Sequence, residues 1–148
     1  MTKVGFYHLT RTSAAEALPQ LLSRTLASHN KAAVWCSSKP FLEMLDKALW
    51  AVFTPTWLPH GKAGILRPDL QPIWLTTEDD VPNAAKFLFL LENRTCTETT
   101  PFERIFDLFD GHDEDAVAAA RIRWKTLKDA GHELAYWQQQ DKGWKQMR

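Results

Sequence analysis

A basic segment with an embedded tryptophan lies near the C-terminal end of the sequence. Residues 121–128 read RIRWKTLK, and they place Arg121, Arg123, Lys125 and Lys128 around Trp124. Guanidinium and ammonium groups bind carboxylates and phosphates through charge-assisted hydrogen bonds. An aromatic ring beside them offers a surface on which a base or an apolar group can pack. The segment therefore predicts binding of an anionic partner, and single-stranded nucleic acid is the first candidate.

The charge of the whole chain gives this candidate no support. Lys plus Arg and Asp plus Glu number 18 each, so the formal net charge is zero, which indicates neither nucleic-acid nor membrane binding. The charge is uneven along the chain, however. An acidic stretch precedes the basic segment, and its acids are Glu98, Glu103, Asp107, Asp110, Asp113, Glu114 and Asp115.

Motifs for nucleotide, metal or covalent chemistry are not found. The turn after the first predicted strand reads HLTRTSAAE and has no glycine, whereas a dinucleotide-binding turn needs glycines for the backbone to approach the pyrophosphate. HGKAG (60–64) lacks the spacing of a phosphate-binding loop. The histidines are not paired at ligand spacing, and DGHDED (110–115) is interpreted as a solvated acidic helix start. We therefore expect no catalytic residue, no cofactor and no metal.

The first half of the chain has the pattern strand, helix, strand, helix. KVGFYHL (3–9) and AAVWCS (32–37) have the composition of strands. Ser13 and Glu16 have the spacing of a capping box and predict a helix start, and Pro19 should kink this helix or delay its start. Two strands joined by such a helix predict a parallel pair with a right-handed crossover.

The second predicted helix is followed by a long loop and further strands. Ser38 is a plausible N-cap for the second helix, with Pro40 in its first turn. Residues 54–72 contain four prolines, at positions 55, 59, 68 and 72, and are predicted to form a loop. Further strands are predicted at IWLTT (73–77) and AAKFLFLL (84–91), while PFERIFDLF (101–109) fits a strand or a short helix.

The last predicted element is the helix that holds the basic segment. It extends from about Asp113 to Ala130, is acidic at its start and basic at its end, and so suits the helix dipole. Gly131 follows where a C′ glycine belongs. Together the elements predict one α/β domain over residues 1–148, with a core at 1–135 and a C-terminal tail at 136–148.

The remaining features favour a soluble cytoplasmic protein. Cys36 and Cys96 do not form a disulfide or zinc pattern, and Cys36 lies in an apolar run where a small core residue is expected. MTKVGFYHL lacks the apolar stretch of a signal peptide. No window reaches the roughly 18 apolar residues of a membrane span.

Five segments in order resemble the chi subunit family of bacterial DNA polymerase III holoenzyme. They are FYHL (6–9), ALWAVFTPTWLPHG (48–61), QPIWLTT (71–77), FERIFDLFDG (102–111) and ARIRWKTLKDAGHELAYW (120–137). Each segment alone is a weak match, whereas the five segments in this order are specific to the family. The resemblance implies a Rossmann-like three-layer domain, with a mostly parallel sheet between helices and no phosphate-binding loop.

The resemblance also implies an adaptor without polymerase activity, associated with the replisome. Chi proteins join the clamp loader to single-stranded-DNA-binding protein by binding its acidic, Phe-ended C-terminal tail, and they reach the clamp loader through the psi subunit. The implied partners are thus that tail and a psi subunit or a functional substitute, with a helicase as a further candidate. DNA would be contacted mostly through the partner, and no membrane is involved.

A helical wheel assigns the residues of the basic segment to two sides. Arg121, Lys125 and Lys128 fall within about 60° of each other at 100° per residue, and Trp124 lies at the edge of this stripe. The family resemblance matches Arg121, Trp124 and Lys125 to basic and aromatic positions of the pocket that binds the partner tail. Lys128, which lies on the same stripe, is predicted to bind the tail with them. The alternative is a solvated helix end with Trp124 in the core. Arg123 falls in the apolar sector, so we expect it to be structural and paired with an acid.

Two further positions follow from the resemblance. Some chi proteins have another cation one turn before Arg121, where this chain has Val117, so the pocket is less charged or its apolar wall is larger. Trp57, in the proline-rich loop, corresponds to an aromatic of the surface that receives psi or a helicase. Its alternative role is a loop anchor that packs onto the domain.

Overall fold

The computed structural model describes residues 2–50, 61–62, 72–79, 81, 83–96, 99, 101–141 and 143–147. These residues form three helices and eight strands. In chain order they are β1 (Lys3–Leu9), α1 (Ala14–Ala27), β2 (Ala32–Trp35), α2 (Lys39–Trp50), β3 (Gly61–Lys62), β4 (Ile73–Thr76), β5 (Phe87–Leu90), β6 (Arg104–Asp110), α3 (Glu114–Asp129), β7 (Glu133–Gln139) and β8 (Trp144–Gln146).

The strands form one sheet with the order β3-β4-β2-β5-β6-β1-β7-β8. Strand β8 is antiparallel to β7, and all other neighbouring pairs are parallel. The central strands β2 and β5 are buried along their whole length, as expected for parallel strands that are covered on both faces. The mostly parallel sheet of the predicted fold class is confirmed.

Helices cover the two faces of the sheet and complete three layers. Leucines of α1 and α2 join one core cluster with side chains of the central strands, including Val34, Leu75 and Phe89. On the other face, Ala120 of α3 belongs to a second cluster with Val4 and Phe6. This arrangement confirms the Rossmann-like α/β domain. Among the described residues, no helix is both long and apolar enough to cross a membrane.

The predicted helix starts are confirmed. The Ser13 side chain accepts a hydrogen bond from the Glu16 amide at 3.3 Å, and α1 begins directly after it. Pro19 lies inside α1 and does not delay its start. The Ser38 hydroxyl accepts a hydrogen bond from the Phe41 amide at 3.4 Å where α2 begins.

The predicted strands match β1, β2, β4 and β5, and the ambiguous segment 101–109 contains most of a strand, β6. The interior of β6 is buried on both faces, from Ile105 to Phe109. Cys36 is fully buried, as predicted, and burial raises the pKa of its thiol to about 12.

Three expectations differ from the structure. Strands β1 and β2 run in the same direction but are not neighbours, since β5 and β6 lie between them in the sheet. Residues 136–148, expected as a tail, contain most of β7 and all of β8, which extend the sheet beyond β1. The predicted loop at 54–72 contains a short strand, since Gly61 and Lys62 form β3 and pair with β4. Of its other residues the structure describes only Pro72, and the rest, including Trp57, lies outside the described residues.

Candidate functional site

Helix α3 is capped at both ends in the way its sequence predicts. The Asp113 side chain accepts hydrogen bonds from the amides of Asp115 (3.0 Å) and Ala116 (3.3 Å), which satisfies free N–H groups of the first turn. Gly131 follows the helix with φ of 89°, a left-handed conformation that favours glycine. The helix is thus fixed in length, and its basic residues lie between its middle, at Arg121, and its last turn, at Lys128.

Arg123 holds α3 against the sheet. Its Nε donates to Oδ2 of Asp107 at 2.6 Å and its Nη2 to Oδ1 at 2.9 Å, and both side chains are buried. A third nitrogen donates to the Asn93 side chain at 3.3 Å. Burial raises the pKa of Asp107, and the guanidinium opposes this rise. The predicted structural role of Arg123, paired with an acid, is confirmed.

A groove lies between α3 and the sheet, and we call it the α3 groove. Its volume is about 320 Å³. The residues that line it are Phe6, Phe109, Val117, Ala120, Arg121, Trp124, Tyr136, Gln138 and Met147. Among these described residues, Arg121 is the only one with a formal charge. The groove therefore combines an apolar, aromatic wall with a single exposed guanidinium.

Trp124 contributes both to the core and to the groove. Its half-buried ring makes edge contacts with Phe6, at 5.3 Å between centroids, and with Tyr136, at 6.0 Å. Phe6 and Tyr136 are register partners on the neighbouring strands β1 and β7. These contacts fix the orientation of the indole ring, which leaves one part of it as groove wall.

The structure brings together two of the four predicted site residues. Arg121 and Trp124 both line the α3 groove. Lys125 and Lys128 are exposed on the same helix and are not part of the groove lining. Val117, one turn before Arg121, lies in the wall, so the position that differs from some chi proteins adds apolar surface here.

Sequence reasoning missed the walls that come from the sheet. Phe6, Phe109, Tyr136 and Met147 belong to four different segments of the chain, and only the strand order brings them to one groove. Side chains alternate between the two faces along a strand. If β7 had been predicted as a strand beside β1, this alternation would have placed Phe6 and Tyr136 on one face of the sheet.

His8 lies behind the groove and connects β1 to its wall. Its Nδ1 shares a hydrogen bond of 2.5 Å with the Tyr136 hydroxyl, and its ring lies 5.1 Å from that of Phe109. Burial lowers the pKa of His8, and the charges of His112 and Arg121 lower it further, while Asp110 and a Gly111 backbone hydrogen bond act in the opposite direction. His8 is thus electrostatically coupled to the cation of the groove.

Gly111 is required by this packing. A Cβ atom at position 111 would lie 2.2 Å from Nε2 of His8 and 2.5 Å from the Leu9 carbonyl oxygen, distances at which atoms overlap. The Gly111 amide instead donates to that carbonyl at 2.7 Å. The close approach holds the ends of β1 and β6 together behind the groove.

The fold and the groove define a three-layer α/β domain with a cavity whose described lining consists of aromatic and other uncharged side chains and one guanidinium. Among the described residues, no group of three or more His, Cys, Asp or Glu side chains could hold a metal ion.

The family model for the DNA polymerase III chi subunit, HolC, matches residues 1–135, and the chain belongs to this family of polymerase accessory subunits. A probable DNA polymerase III subunit chi of Rickettsia prowazekii (strain Madrid E) is 29% identical over 91 residues. The match covers 62% of this chain and 55% of the relative, so the chain spans about half of that protein's length. The family expected from the five sequence segments is confirmed.

Proposed function

We propose that this chain is a non-catalytic subunit that links the clamp-loader complex of DNA polymerase III to single-stranded-DNA-binding protein. In this proposal it binds the acidic C-terminal tail of that protein in the α3 groove. Family membership supports the setting in DNA replication. One observation supports the mode of binding, namely the exposed guanidinium of Arg121 at a groove whose other described walls are uncharged.

In this proposal Arg121 and the aromatic wall bind different parts of the last residue of the tail. The guanidinium of Arg121 receives the terminal carboxylate of the tail, for which its planar donors allow two parallel hydrogen bonds. The terminal Phe ring enters the groove and packs against Trp124 and Tyr136. Edge contacts between aromatic rings add about 0.5–1.5 kcal/mol to the burial of apolar area.

Lys125 and Lys128 form ion pairs with the acidic residues that precede the terminal Phe of the tail. Both are exposed on α3, where a single ion pair contributes about 0–1 kcal/mol and is weakened by salt. Their contribution is therefore to the rate and the salt dependence of association rather than to the specificity for Phe.

The second proposed contact of the adaptor is with psi, a functional substitute for psi, or a helicase, through Trp57. This proposal is supported by family membership alone, since Trp57 lies outside the described residues. The DNA is contacted mainly through the partner proteins.

Direct binding of single-stranded nucleic acid by the basic helix is the alternative. It requires Trp124, Trp137 or Trp144 to stack on bases beside the cations of α3. Trp124 packs against the core cluster on the α3 face, whereas Trp137 and Trp144 pack against the cluster on the opposite face. The three rings do not form one surface with the basic helix, and tail binding is the better fit.

The proposal is tested with a fluorescent peptide that is acidic, ends in Phe and has a free terminal carboxylate. We expect Arg121→Glu to abolish binding in anisotropy titrations. Lys47→Glu, which reverses one exposed cation on α2, is the matched control and should bind like the parent protein. Unchanged affinity of Arg121→Glu would reject the α3 groove as the tail site.

A further inference from the structure

A second groove lies on the opposite face of the sheet, and we call it the aromatic groove. Its floor and wall include Tyr7, Phe106, Trp137 and Trp144, with Arg24 of α1 and Arg104 of β6 at its sides, and its volume is about 380 Å³. Side chains of a strand alternate between the faces of a sheet. Tyr7 and Trp137 therefore face this groove, while their chain neighbours Phe6 and Tyr136 line the α3 groove.

Small residues lie beside the aromatic side chains on this face of the sheet. Gly5 of β1 is the register partner of Phe106 on one side and of Ala135 on the other. A Cβ atom on Gly5 would lie 2.8 Å from Cε1 of Tyr7, so the tyrosine ring lies over the glycine. Strands β7 and β8 close the groove with their tryptophans.

The tryptophans present aromatic surface at this groove. Trp137 is parallel to Tyr7 within 9°, with 6.2 Å between centroids, and Trp144 meets Tyr7 edge-on at 5.0 Å. Both tryptophans are only partly buried, and neither is used by the proposed tail site. Their accessible parts can stack with a flat ring.

The groove is also positively charged. Arg24 and Arg104 are both exposed, and the guanidinium of Arg104 lies 4.9 Å from the centroid of the Phe106 ring. Burial raises the pKa of the Tyr7 hydroxyl, and the charges of Arg104 and Arg24 both oppose this rise. None of the described residues that line the groove is acidic.

We propose that the aromatic groove binds a short segment of single-stranded nucleic acid. Arg24 and Arg104 contact neighbouring phosphates, and a base stacks on Trp144 or Trp137. Two guanidinium groups beside flat rings are the pattern by which proteins bind single strands without reading their sequence. An acidic peptide shares the negative charge but offers few flat rings, so the tryptophan pair favours the nucleic acid.

This site is independent of the proposed tail site and fits a replication protein. A chain that holds the tail of single-stranded-DNA-binding protein on one face would meet the strand itself on the other face. Because the described lining of the aromatic groove contains only two cations, its affinity is expected to be low and to depend on salt.

The test measures binding of the full chain to a fluorescein-labelled oligothymidylate of about 15 nucleotides, a length near the upper limit of a single-strand site. At low salt we expect saturable binding and quenching of tryptophan fluorescence. The slope of log K against log salt should be about −1.4 for two phosphates on a single strand. Arg24→Ala should reduce this slope by about half, and Trp144→Leu should weaken binding about tenfold.

The control variants distinguish binding in the aromatic groove from a general effect of surface charge or of unfolding. Lys47→Ala removes one cation of α2, which lies outside both grooves, and should leave the affinity unchanged. Thermal unfolding checks that Trp144→Leu is folded, and Arg24→Ala tests the groove without altering a ring contact.

The proposal is overturned if the oligonucleotide does not bind at low salt, or if Arg24→Ala and Lys47→Ala bind it equally well. It is also overturned if Arg121→Ala removes binding, or if the acidic Phe-ended peptide displaces the oligonucleotide from this groove at similar concentration.

Discussion

At the scale of single residues, two arginines two positions apart in α3 have opposite roles. Arg121 is exposed at the α3 groove, and Arg123 is buried in a two-bonded pair with Asp107. The helical wheel drawn from the sequence places Arg123 on the core side of α3 and Arg121 on the exposed side, because the helical period alone determines which residue faces the core. The chemistry of each arginine follows from the face on which it lies.

The buried pair should dominate the stability of the contact between α3 and the sheet. Arg123→Met leaves the Asp107 carboxylate buried without its partner, so the free energy of unfolding should fall by about 3–5 kcal/mol. Urea unfolding measures this loss. Adding Asp107→Leu to the variant should recover part of it, whereas exposed Arg121→Ala should change stability by less than about 0.5 kcal/mol. A loss below about 1 kcal/mol for Arg123→Met would contradict this role.

His8 should report on the charge state of the α3 groove. The charge of Arg121 is one of the causes that lower the His8 pKa below its usual 6.5. An anion bound at Arg121 offsets that charge, so the His8 pKa should rise when the acidic peptide binds. By linkage, peptide affinity should increase as pH falls through the titration of His8.

NMR titration of the His8 ring with and without peptide measures this shift. In Arg121→Ala, the His8 pKa should already be higher without peptide. A His8 pKa that stays constant or falls on peptide binding would disprove the coupling.

The same pKa direction has a consequence for stability. Because the folded-state pKa of His8 lies below the unfolded value, the unfolded chain binds more protons between the two values. The contribution of His8 to the free energy of unfolding is therefore present above the usual pKa of 6.5 and is lost as pH falls through the lowered value.

At the scale of elements, α3 depends on its caps as well as on its packing. Asp113 accepts two amide hydrogen bonds at the N-terminus, and Asp113→Ala should lower the free energy of unfolding by about 1 kcal/mol. Asp129→Ala makes the same substitution at the other end of α3, where an acid opposes the helix dipole. The second variant should be neutral or slightly more stable. Equal losses in urea unfolding would show that Asp113 does not act as a cap.

The elements also show which patterns are visible in the sequence. The three helices and the strands β1, β2, β4 and β5 were predictable because caps and apolar runs are local signals. Segment 101–109 was ambiguous because Asp107 interrupts its apolar pattern, and its partner Arg123 comes from another element. Strands β7 and β8 were missed because ELAYWQQ alternates weakly and follows a basic helix directly.

At the scale of the whole molecule, the C-terminal segment is part of the sheet rather than a tail. Trp144 packs on Tyr7 of β1, and the Met147 amide donates to the Tyr136 carbonyl at 2.7 Å. Through these contacts, Trp144 of β8 lines the aromatic groove, and Met147, which follows β8, lines the α3 groove. The site could be predicted only in part for this reason, since its sheet walls depend on a strand order that no local pattern encodes.

Ending the chain after Gln140 should therefore destabilise it. We expect a loss of about 2–4 kcal/mol in the free energy of unfolding, most of which Trp144→Ala should reproduce, since removing a large aromatic costs about 3–5 kcal/mol when it is fully buried. Differential scanning calorimetry compares both variants with the parent protein. An unchanged unfolding temperature after truncation would show that residues 141–148 are a tail.

The central claim is that the α3 groove recognises the last residue of an acidic tail. Isothermal titration calorimetry should compare an acidic peptide that ends in Phe with the same peptide lacking that Phe. Burying a Phe side chain stabilises a complex by about 1.5–3 kcal/mol. The peptide that lacks the terminal Phe should therefore bind to the groove at Arg121 and Trp124 at least about tenfold more weakly. Equal affinity of the two peptides would contradict the account, since the cations alone would then be sufficient for binding.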